Sequence, residues 1–408
     1  MSQLNSAKNA VSADQLYFDI TVSNFESTTT KPPQFYFNEQ RTLPFVSNPE
    51  DYYLSILRFT METGSLPVFI PSIEPDQSDR NKTIYSFTLE YTDPVTSTTY
   101  SSGQTHINFV PQHSGNSANL PLPPNGTRNK LQNNNTGYYN IYNYGWLIDL
   151  MNNTLETAFA ALKTAITNGG GTRIANDIFA PFLNWDTTSN TAVLYADFNV
   201  FGVNGSNTPY KIYLNAPLFG LFPTFPCKYL GYENVILGKN FLFEPRNNGS
   251  SDLDTITPEP ATSPTTYRAV KVYQDSSTIA NFSPITAIVF TSNTLPIQSN
   301  QVSTPLIFNN NQEVVLGGNN SDFANIITDL TSDSGQYKPN IVYNPTSEYR
   351  LITLYGNRPL YNIDLNIFWR NKFGQLIPFH INSGECVTMK VAFLKKSAYI
   401  GKGQNTLV

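Results

Sequence analysis

Apolar and polar positions alternate with a period of two along several short segments of this chain. In residues 16–23 the apolar side chains of Leu16, Phe18, Ile20 and Val22 each have a more polar neighbour on either side. Residues 85–92 repeat this pattern, while residues 52–60 are mostly apolar. Successive side chains of a strand point to opposite faces of a sheet, so the alternating segments are predicted to be half-buried strands and residues 52–60 a more buried one.

The same alternation returns in the last third of the chain. Strands are predicted at residues 267–273, 285–290 and 349–354, and the clearest alternation lies in residues 363–370 and 387–393. Residues 192–198 and 209–214 are joined through Asn204-Gly205, a dipeptide that favours tight turns, so this pair is predicted to form a hairpin.

One segment has a helical period instead. Apolar residues recur every three or four positions from Trp146 to Ile166, and three glycines follow at residues 169–171, which predicts an amphipathic helix at about residues 142–167. Its polar face is not basic, so packing against a sandwich is favoured over binding to a membrane or a partner. Residues 112–135 are rich in Asn, Pro, Gly and Ser and are predicted to form an exposed loop.

These elements predict a mainly β fold, a jelly-roll sandwich with one long helix as an insertion. About eight strand candidates lie on each side of the Pro- and Ser-rich residues 247–264, so either one elaborated jelly-roll or two tandem ones would fit. The predicted division has an N-terminal sandwich in residues 1–246, a linker or loop in 247–264, and a C-terminal sandwich half or second jelly-roll in 265–408.

The composition and charge of the chain argue against some classes of function. Only 13% of residues are charged, about half the share of an ordinary soluble domain, and the chain holds 24 Tyr, 27 Phe and 28 Pro. A net charge of −5 argues against general binding to nucleic acid. No run approaches the ~18 apolar residues that span a bilayer, and the first residues do not resemble a secretory signal, so no membrane span and synthesis in the cytosol are expected.

The residues that most often carry catalysis show no catalytic spacing. His106, His113 and His380 form no metalloprotease motif and lie near no nucleophile signature, so surface or loop positions are expected for them. The segment from Gly231 to Asn240 has six residues between its glycines where a phosphate-binding loop has four, and Asn240 stands where that loop needs Ser or Thr. No catalytic residue, cofactor or metal site is therefore predicted, and the chain is not expected to be an enzyme.

Other charged residues and the two cysteines also have plainer interpretations. Asp76, Asp79, Asp252 and Asp254 could bind calcium, but they lack the spaced ligand set of a calcium loop, which favours solvated loop carboxylates. Lys390, Lys395, Lys396 and Lys402 could contact nucleic acid inside a shell, although lysines that protect an edge strand are the favoured interpretation. Cys227 and Cys386 are predicted to be reduced core thiols.

Two C-terminal segments carry a resemblance to a known family. SPITAIVFTSNTLPIQSNQ (residues 283–301) and SEYRLITLYGNRPLYNIDLNIFWRNKFGQLIPFHINSGECVTMKVAFLKK (residues 347–396) resemble minor capsid and penton proteins of virophages and Polinton-like small double-stranded DNA viruses. The resemblance implies a jelly-roll structural protein of the virion, made in the host cell, that assembles with itself as a homopentamer and with other capsid proteins. It carries no functional residue over to this chain.

Three alternatives stay open at this stage. A double jelly-roll major capsid protein could have this length. A glycan-binding spike that recognises a host receptor would use exposed aromatics for stacking on sugars and the many amides for bonding their hydroxyls. A hydrolase on a β scaffold would need paired carboxylates across a cleft, which no motif favours.

Overall fold

The computed structural model divides the chain into two compact units. Unit 1 comprises residues 1–66 and 284–408, and unit 2 comprises residues 67–283. The residues that the structure describes are 14–25, 32–74, 79–112, 132, 134, 136–172, 178–201, 209–231, 238–244, 253–256, 266–302, 306–308, 313–315, 322–331, 340–343, 350–372 and 374–398.

Strands dominate both units. The helices are a single 3-10 turn at Pro49–Asp51 and the α-helices α1 (Tyr144–Asn168), α2 (Ala216–Leu221) and α3 (Ile279–Phe282). The strands before α1 are β1 (Gln15–Ser23), β2 (Tyr36–Gln40), β3 (Tyr52–Glu62), β4 (Lys82–Thr92), β5 (Thr99–Ser101) and β6 (Thr105–Asn108). Those that follow it, up to α3, are β7 (Phe182–Asp186), β8 (Thr191–Asp197), β9 (Tyr210–Leu214), β10 (Cys227–Tyr229), β11 (Phe241–Phe243), β12 (Leu253–Ile256) and β13 (Tyr267–Tyr273). The remainder are β14 (Ile285–Thr291), β15 (Asn300–Val302), β16 (Leu306–Phe308), β17 (Glu313–Val315), β18 (Asp322–Ala324), β19 (Ile326–Leu330), β20 (Asn340–Tyr343), β21 (Ile352–Thr353), β22 (Asn362–Asn371), β23 (Leu376–Pro378) and β24 (Cys386–Lys395).

Unit 1 is a jelly-roll. One sheet has the strand order β1-β24-β3-β20, with β21 also on β3, and the other has the order β19-β14-β22-β2, with β23 also on β22. Numbered one to eight along the chain, the main strands therefore run 1-8-3-6 and 5-4-7-2, which is the order of a jelly-roll. The predicted fold class, mainly β with a jelly-roll sandwich, is confirmed.

The core of unit 1 comes from the alternation that the sequence displays. The predicted apolar face of residues 387–393 lies on β24, where Val387, Met389, Val391 and Phe393 are all buried. Ile363, Leu365, Ile367 and Trp369 of β22 are buried too. The Phe59 ring of β3 contacts the Phe290 ring of β14 at 5.1 Å between centroids. Because one face of each sheet is apolar, the two sheets bury these faces against each other.

Unit 2 is a second β structure, to which the long helix belongs. One sheet has the order β10-β11-β9-β4-β5, with β6 also on β4, and the other has the order β12-β13-β8-β7. Helix α1 packs against β4, β6 and β7 and buries ten of its residues, including Met151, Leu155 and Leu162. The Asn143 side chain accepts a hydrogen bond from the Trp146 amide at 2.7 Å and so caps the helix where the predicted segment begins.

The division of the chain differs from the one that the sequence suggested. The Pro- and Ser-rich residues 247–264 lie inside unit 2, because β13 pairs on one side with β12, within that stretch, and on the other with β8. Unit 2 is instead inserted between β3 and β14 of the jelly-roll. Unit 1 is thus built from both ends of the chain, with β1 paired to β24 in antiparallel register.

The predicted hairpin between residues 192–198 and 209–214 is wrong. The two strands form as β8 and β9 but lie in different sheets, because β8 is paired on both sides, with β7 and β13. Strand β9 pairs instead with β4 and β11. The Asn204-Gly205 turn lies outside the described residues, as does most of the predicted loop at 112–135.

Candidate assembly site

Strand β1 of unit 1 lies at one end of its sheet, and four of its nine residues are exposed. It pairs with β24 in an unbroken register that runs from Gln15 opposite Leu394 to Ser23 opposite Cys386. Within the described residues, β24 lies on one side of β1 and no strand lies on the other. At the same end of the jelly-roll, β2 is the last strand of the second sheet. The sandwich therefore ends in two edge strands.

The register shows which backbone groups of β1 face outward from the sheet edge. The Lys395 amide donates to the Asp14 carbonyl at 2.8 Å, and the Asn24 amide donates to the Glu385 carbonyl at 3.0 Å. Antiparallel pairing uses every second residue, so the even-numbered residues of β1 bond to β24. The amides and carbonyls of Tyr17, Asp19 and Thr21 therefore point away from β24, toward the free edge.

A cavity of about 340 Å³ lies beside this edge. Residues 17–20 of β1 all line it, although their side chains alternate in direction, so the backbone of β1 forms one wall. Phe37, Glu39 and Arg41 in and after β2 contribute the opposite side, and the inward side chains of Phe45, Ile363 and Val391 complete the lining. The site combines a strand edge with an apolar interior.

The charges around the cavity are paired with one another. Arg41 forms an ion pair with Glu39 at 2.6 Å between Nε and Oε1, and its guanidinium lies 4.4 Å from the Phe45 ring centroid and 5.3 Å from that of Phe18. On the outer face Asp19 meets Arg58 at 3.4 Å and Lys390 at 3.8 Å. The rim thus has one more cation than carboxylates, and each of these charges has an opposite partner.

This arrangement suits recognition of an extended polypeptide. A strand that adds to a sheet edge uses main-chain hydrogen bonds for affinity and pockets for alternate side chains for specificity. The free edge at Tyr17, Asp19 and Thr21 offers main-chain hydrogen bonds, and the cavity offers a pocket for side chains.

The histidines contact backbone rather than a reactive group. His106 Nδ1 lies 2.9 Å from the Thr83 carbonyl oxygen, and His380 Nδ1 lies 2.9 Å from that of Pro32. His113 lies outside the described residues. Two of the three histidines thus tie loops or strands to neighbouring chain segments.

The segment considered as a phosphate-binding loop contributes to a buried polar network in unit 2. Lys239 forms an ion pair with Glu90, and the Tyr213 hydroxyl donates to Glu90 Oε2 at 2.7 Å. Burial, together with the hydrogen bond to Glu90, raises the pKa of Tyr213 well above its usual range. Asn240 Oδ1 accepts from the Ala216 amide at 3.1 Å. These contacts hold Lys239 against β4 and Asn240 against the start of α2.

The carboxylates and lysines weighed as ligands have local partners. Asp79 Oδ1 accepts from the Asn81 amide, and Asp254 meets Lys271 at 3.5 Å, while Asp76 and Asp252 lie outside the described residues. Lys390 lies 5.1 Å from the Tyr17 ring centroid, on the outer face of the edge strand β1. Lys396 donates to the Glu50 carbonyl at 2.6 Å, and Lys402 is not described. Lys390 thus lies on the inner strand β24, where it pairs with Asp19 of β1.

Both cysteines are free and only partly exposed. Burial, with the nearby Glu244 carboxylate, raises the pKa of the Cys227 thiol far above its usual range, so this group is a poor nucleophile. Cys386 Sγ lies 3.9 Å from Glu62 Oε1. Among the described residues no three His, Cys, Asp or Glu side chains come together as metal ligands would.

A buried carboxylate that the sequence pattern did not reveal is Asp364. It is a polar position in the alternation of residues 363–370 on β22, yet it is fully buried. It accepts from the Ser292 hydroxyl, from the Asn293 amide at 2.9 Å, and from the Thr294 amide and hydroxyl at 2.8 and 2.6 Å. Burial alone would raise the pKa of Asp364, but these donors outweigh it and lower the pKa below its usual value.

Among the described residues named above, no catalytic constellation comes together, and unit 1 has the jelly-roll strand order that viral capsid and lectin domains share. In the part of the chain that the structure describes, none of the helices is both long and apolar enough to cross a bilayer.

Comparison with known proteins identifies the family to which this chain belongs. Residues 16–395 match the family described as Sputnik minor capsid protein V18/19. The chain belongs to this family and is a structural minor capsid component of a virion. This finding confirms the resemblance seen in residues 283–301 and 347–396.

Two curated Sputnik virophage proteins are similar to different shares of the chain. The uncharacterized protein V18 is 34% identical over 167 residues, which cover 41% of this chain and 95% of V18. The structural protein V19 is 30% identical over 194 residues, which cover 47% of this chain and 83% of V19. Each relative therefore corresponds to less than half of this chain.

Two solved structures match the chain over most of its length. A chain of the Sputnik virophage particle, solved by cryo-EM, has 29% sequence identity and a TM-score of 0.74, and the match covers 95% of this chain and 99% of that one. The mavirus penton protein has 13% identity and a TM-score of 0.55, with coverage of 93% and 99%. The second match shows a shared fold.

Proposed function

We propose that this protein is the penton of a virophage-type particle, which forms a homopentamer at the fivefold vertices and contacts the surrounding capsid proteins. The observation that carries this proposal is the match of nearly the whole chain, both units included, to a chain of the Sputnik particle. The fold shared with the mavirus penton protein supports the vertex position over other positions in the shell.

The proposed role involves no catalysis. The two described histidines contact backbone carbonyls, Cys227 is a poor nucleophile, and the buried carboxylates Glu90 and Asp364 are occupied by hydrogen bonds within their own units. We infer that the protein is made in the host-cell cytosol and acts in the virion through shape and assembly.

Light scattering and negative-stain electron microscopy of the purified protein test this proposal. Pentameric rings whose fraction rises with concentration are the expected result. Trimers would contradict the vertex role and indicate a major capsid type of assembly. A protein that stays monomeric at every concentration would also contradict it and would favour the glycan-binding alternative, which a glycan array then examines directly.

A further inference from the structure

We infer that the groove beside β1 is an assembly site that receives an extended segment from a second copy of this chain. The inserted segment would add to the sheet next to β1. This inference rests on the proposed pentamer and names the contact that would join neighbouring subunits.

The backbone of β1 provides the first part of the argument. Tyr17, Asp19 and Thr21 direct their amides and carbonyls to the free edge, because the even-numbered residues are bonded to β24. An added strand would pair with these groups in the same way that β24 pairs with the others. The register of β1 with β24 is unbroken over all nine residues, so the edge is regular along the whole strand.

The cavity provides the second part. Phe18 and Phe37, which face it, are only half-buried although they belong to the apolar face of the sandwich. At about 340 Å³ the cavity can take the inward-facing side chains of one added strand. Insertion of apolar side chains would complete the burial of both phenylalanines and close this end of the sandwich.

The charge of the rim favours a second copy over other partners. The rim holds the carboxylates of Glu39 and Asp19 and the cations of Arg41, Arg58 and Lys390, so it has one more cation than carboxylates and suits a neutral or weakly acidic segment. This chain has a net charge of −5 and only 13% of its residues are charged, so a segment of a second copy meets that requirement. A groove on one subunit that takes a segment of the next is a head-to-tail contact, and such contacts close into rings when the rotation permits.

Asp19→Pro tests the role of the free edge. The Asp19 amide points away from β24, so proline removes a donor at the free edge and leaves the β1–β24 ladder intact, as edge strands tolerate. Asp19→Ala is the matched control, because it removes the same ion pairs and keeps the amide. We expect proline to raise the concentration for half-assembly by about tenfold or more relative to alanine, with equal melting temperatures.

The two proposals fail in different ways. If the wild-type protein forms pentamers and Asp19→Pro forms them equally well, the groove is not the subunit contact, while the penton role stands. If the wild-type protein never assembles, the penton role itself is contradicted.

A photo-cross-linker identifies the occupant. Benzoylphenylalanine at position 37 would face the cavity, and a mixture of nitrogen-15-labelled and unlabelled full-length chains would be assembled before irradiation. Peptide pairs of mixed isotope content, found by mass spectrometry, are the expected result. Cross-links within single chains only, or assembled rings without cross-links at this position, would overturn the inference.

Discussion

The Asp364 carboxylate on β22 accepts hydrogen bonds from the backbone and side chains of residues 292–294. This one carboxylate therefore fixes the position of the loop that follows β14. The Ser292 and Thr294 hydroxyls and two amides all donate to Asp364. Hydrogen bonds to a buried charged group are stronger than neutral ones, and an unpaired partner carries a further cost. The loop after β14 therefore depends on this side chain.

We expect Asp364→Asn to lower the free energy of unfolding by about 2 to 3 kcal/mol at pH 7, because the amide group is a poor acceptor for so many donors. The lowered pKa of Asp364 means that its contribution is present above the usual carboxyl pKa and is lost as the pH falls through the folded-state value. Urea unfolding at pH 7 and at acidic pH measures both effects.

The matched control for this variant is Asp329→Asn. Asp329 pairs with Arg350 and Arg370 at the surface, where such pairs contribute little, so we expect a change below about 1 kcal/mol. A similar loss in both variants, or a loss in Asp364→Asn that does not shrink toward acid, would contradict the assigned role.

The triple glycine after α1 is explained by close contact with Tyr100. A Cβ at Gly169 would lie 2.4 Å from the Tyr100 ring, and one at Gly171 would lie 2.6 Å from it. Gly169 has a φ of −86°, so the constraint there is contact and not backbone conformation. Gly170 has no atom within 4 Å of a Cβ but has a φ of +71°.

We expect Gly169→Ala to cost about 1 to 3 kcal/mol through overpacking against Tyr100. In a Tyr100→Ala background the same change should cost much less, and a double-mutant cycle of unfolding free energies measures this coupling. Gly170→Ala is the control, since its cost of about 1 to 2 kcal/mol comes from a left-handed backbone and should not depend on Tyr100. Equal costs for Gly169→Ala in both backgrounds would refute the contact explanation.

Among the elements, α1 contributes the largest helical surface to the core of unit 2. Leu155 is fully buried at its centre, among the apolar residues of β4 and β7. We expect Leu155→Ala to destabilise the protein by about 2 to 5 kcal/mol, because a cavity is added to the lost burial. Glu156→Ala, at the exposed next position, should change stability by less than about 0.5 kcal/mol. Chemical denaturation that gave equal shifts for the two variants would contradict the assigned faces of α1.

Local pattern predicted the elements well because each depends on neighbouring residues. The alternation at residues 16–23 and 387–393 corresponds to β1 and β24, and the helical period corresponds to α1 within about two residues at either end. Pairing is different, because it depends on surfaces brought together from distant parts of the chain. The turn signal at Asn204-Gly205 could not show that β8 already has partners on both sides, and nothing near β1 in sequence shows that β24 is its neighbour.

The same distinction applies to the candidate site. The apolar face of β1 was predicted from alternation, but its free edge follows from sheet order, and the cavity needs residues from β2, β22 and β24 together. The alternation in residues 363–370 places Asp364 opposite the apolar residues of β22 and so gives no sign that it is buried. Its burial comes from a loop about 70 residues earlier in the chain, which no local pattern could show.

At the scale of the whole molecule, the jelly-roll of unit 1 is completed by strands from both ends of the chain. The eight main strands of unit 1 all lie in residues 1–66 and 284–408, and no strand of unit 2 enters its sheets in the described residues. A sandwich that has both of its sheets and its own hydrophobic core can fold as an independent domain. The insertion of unit 2 between β3 and β14 should therefore be removable.

We expect a chain in which a flexible linker of about ten residues replaces residues 67–283 to fold, since such a linker reaches about 17 Å on average. A β-type circular dichroism spectrum and a cooperative thermal transition are the expected readouts.

Cutting the chain at the Pro- and Ser-rich stretch provides the contrast, because residues 1–246 would keep β1, β2 and β3 but lose β22 and β24, their partners. Neither piece of that cut should fold alone, because each would hold open sheet edges and half of a core. The opposite outcome would be that both of those pieces fold and the linker variant does not. The domain boundary would then lie at residues 247–264, and unit 2 would not be an insertion in the jelly-roll. The groove beside β1 would in that case belong to a different sandwich.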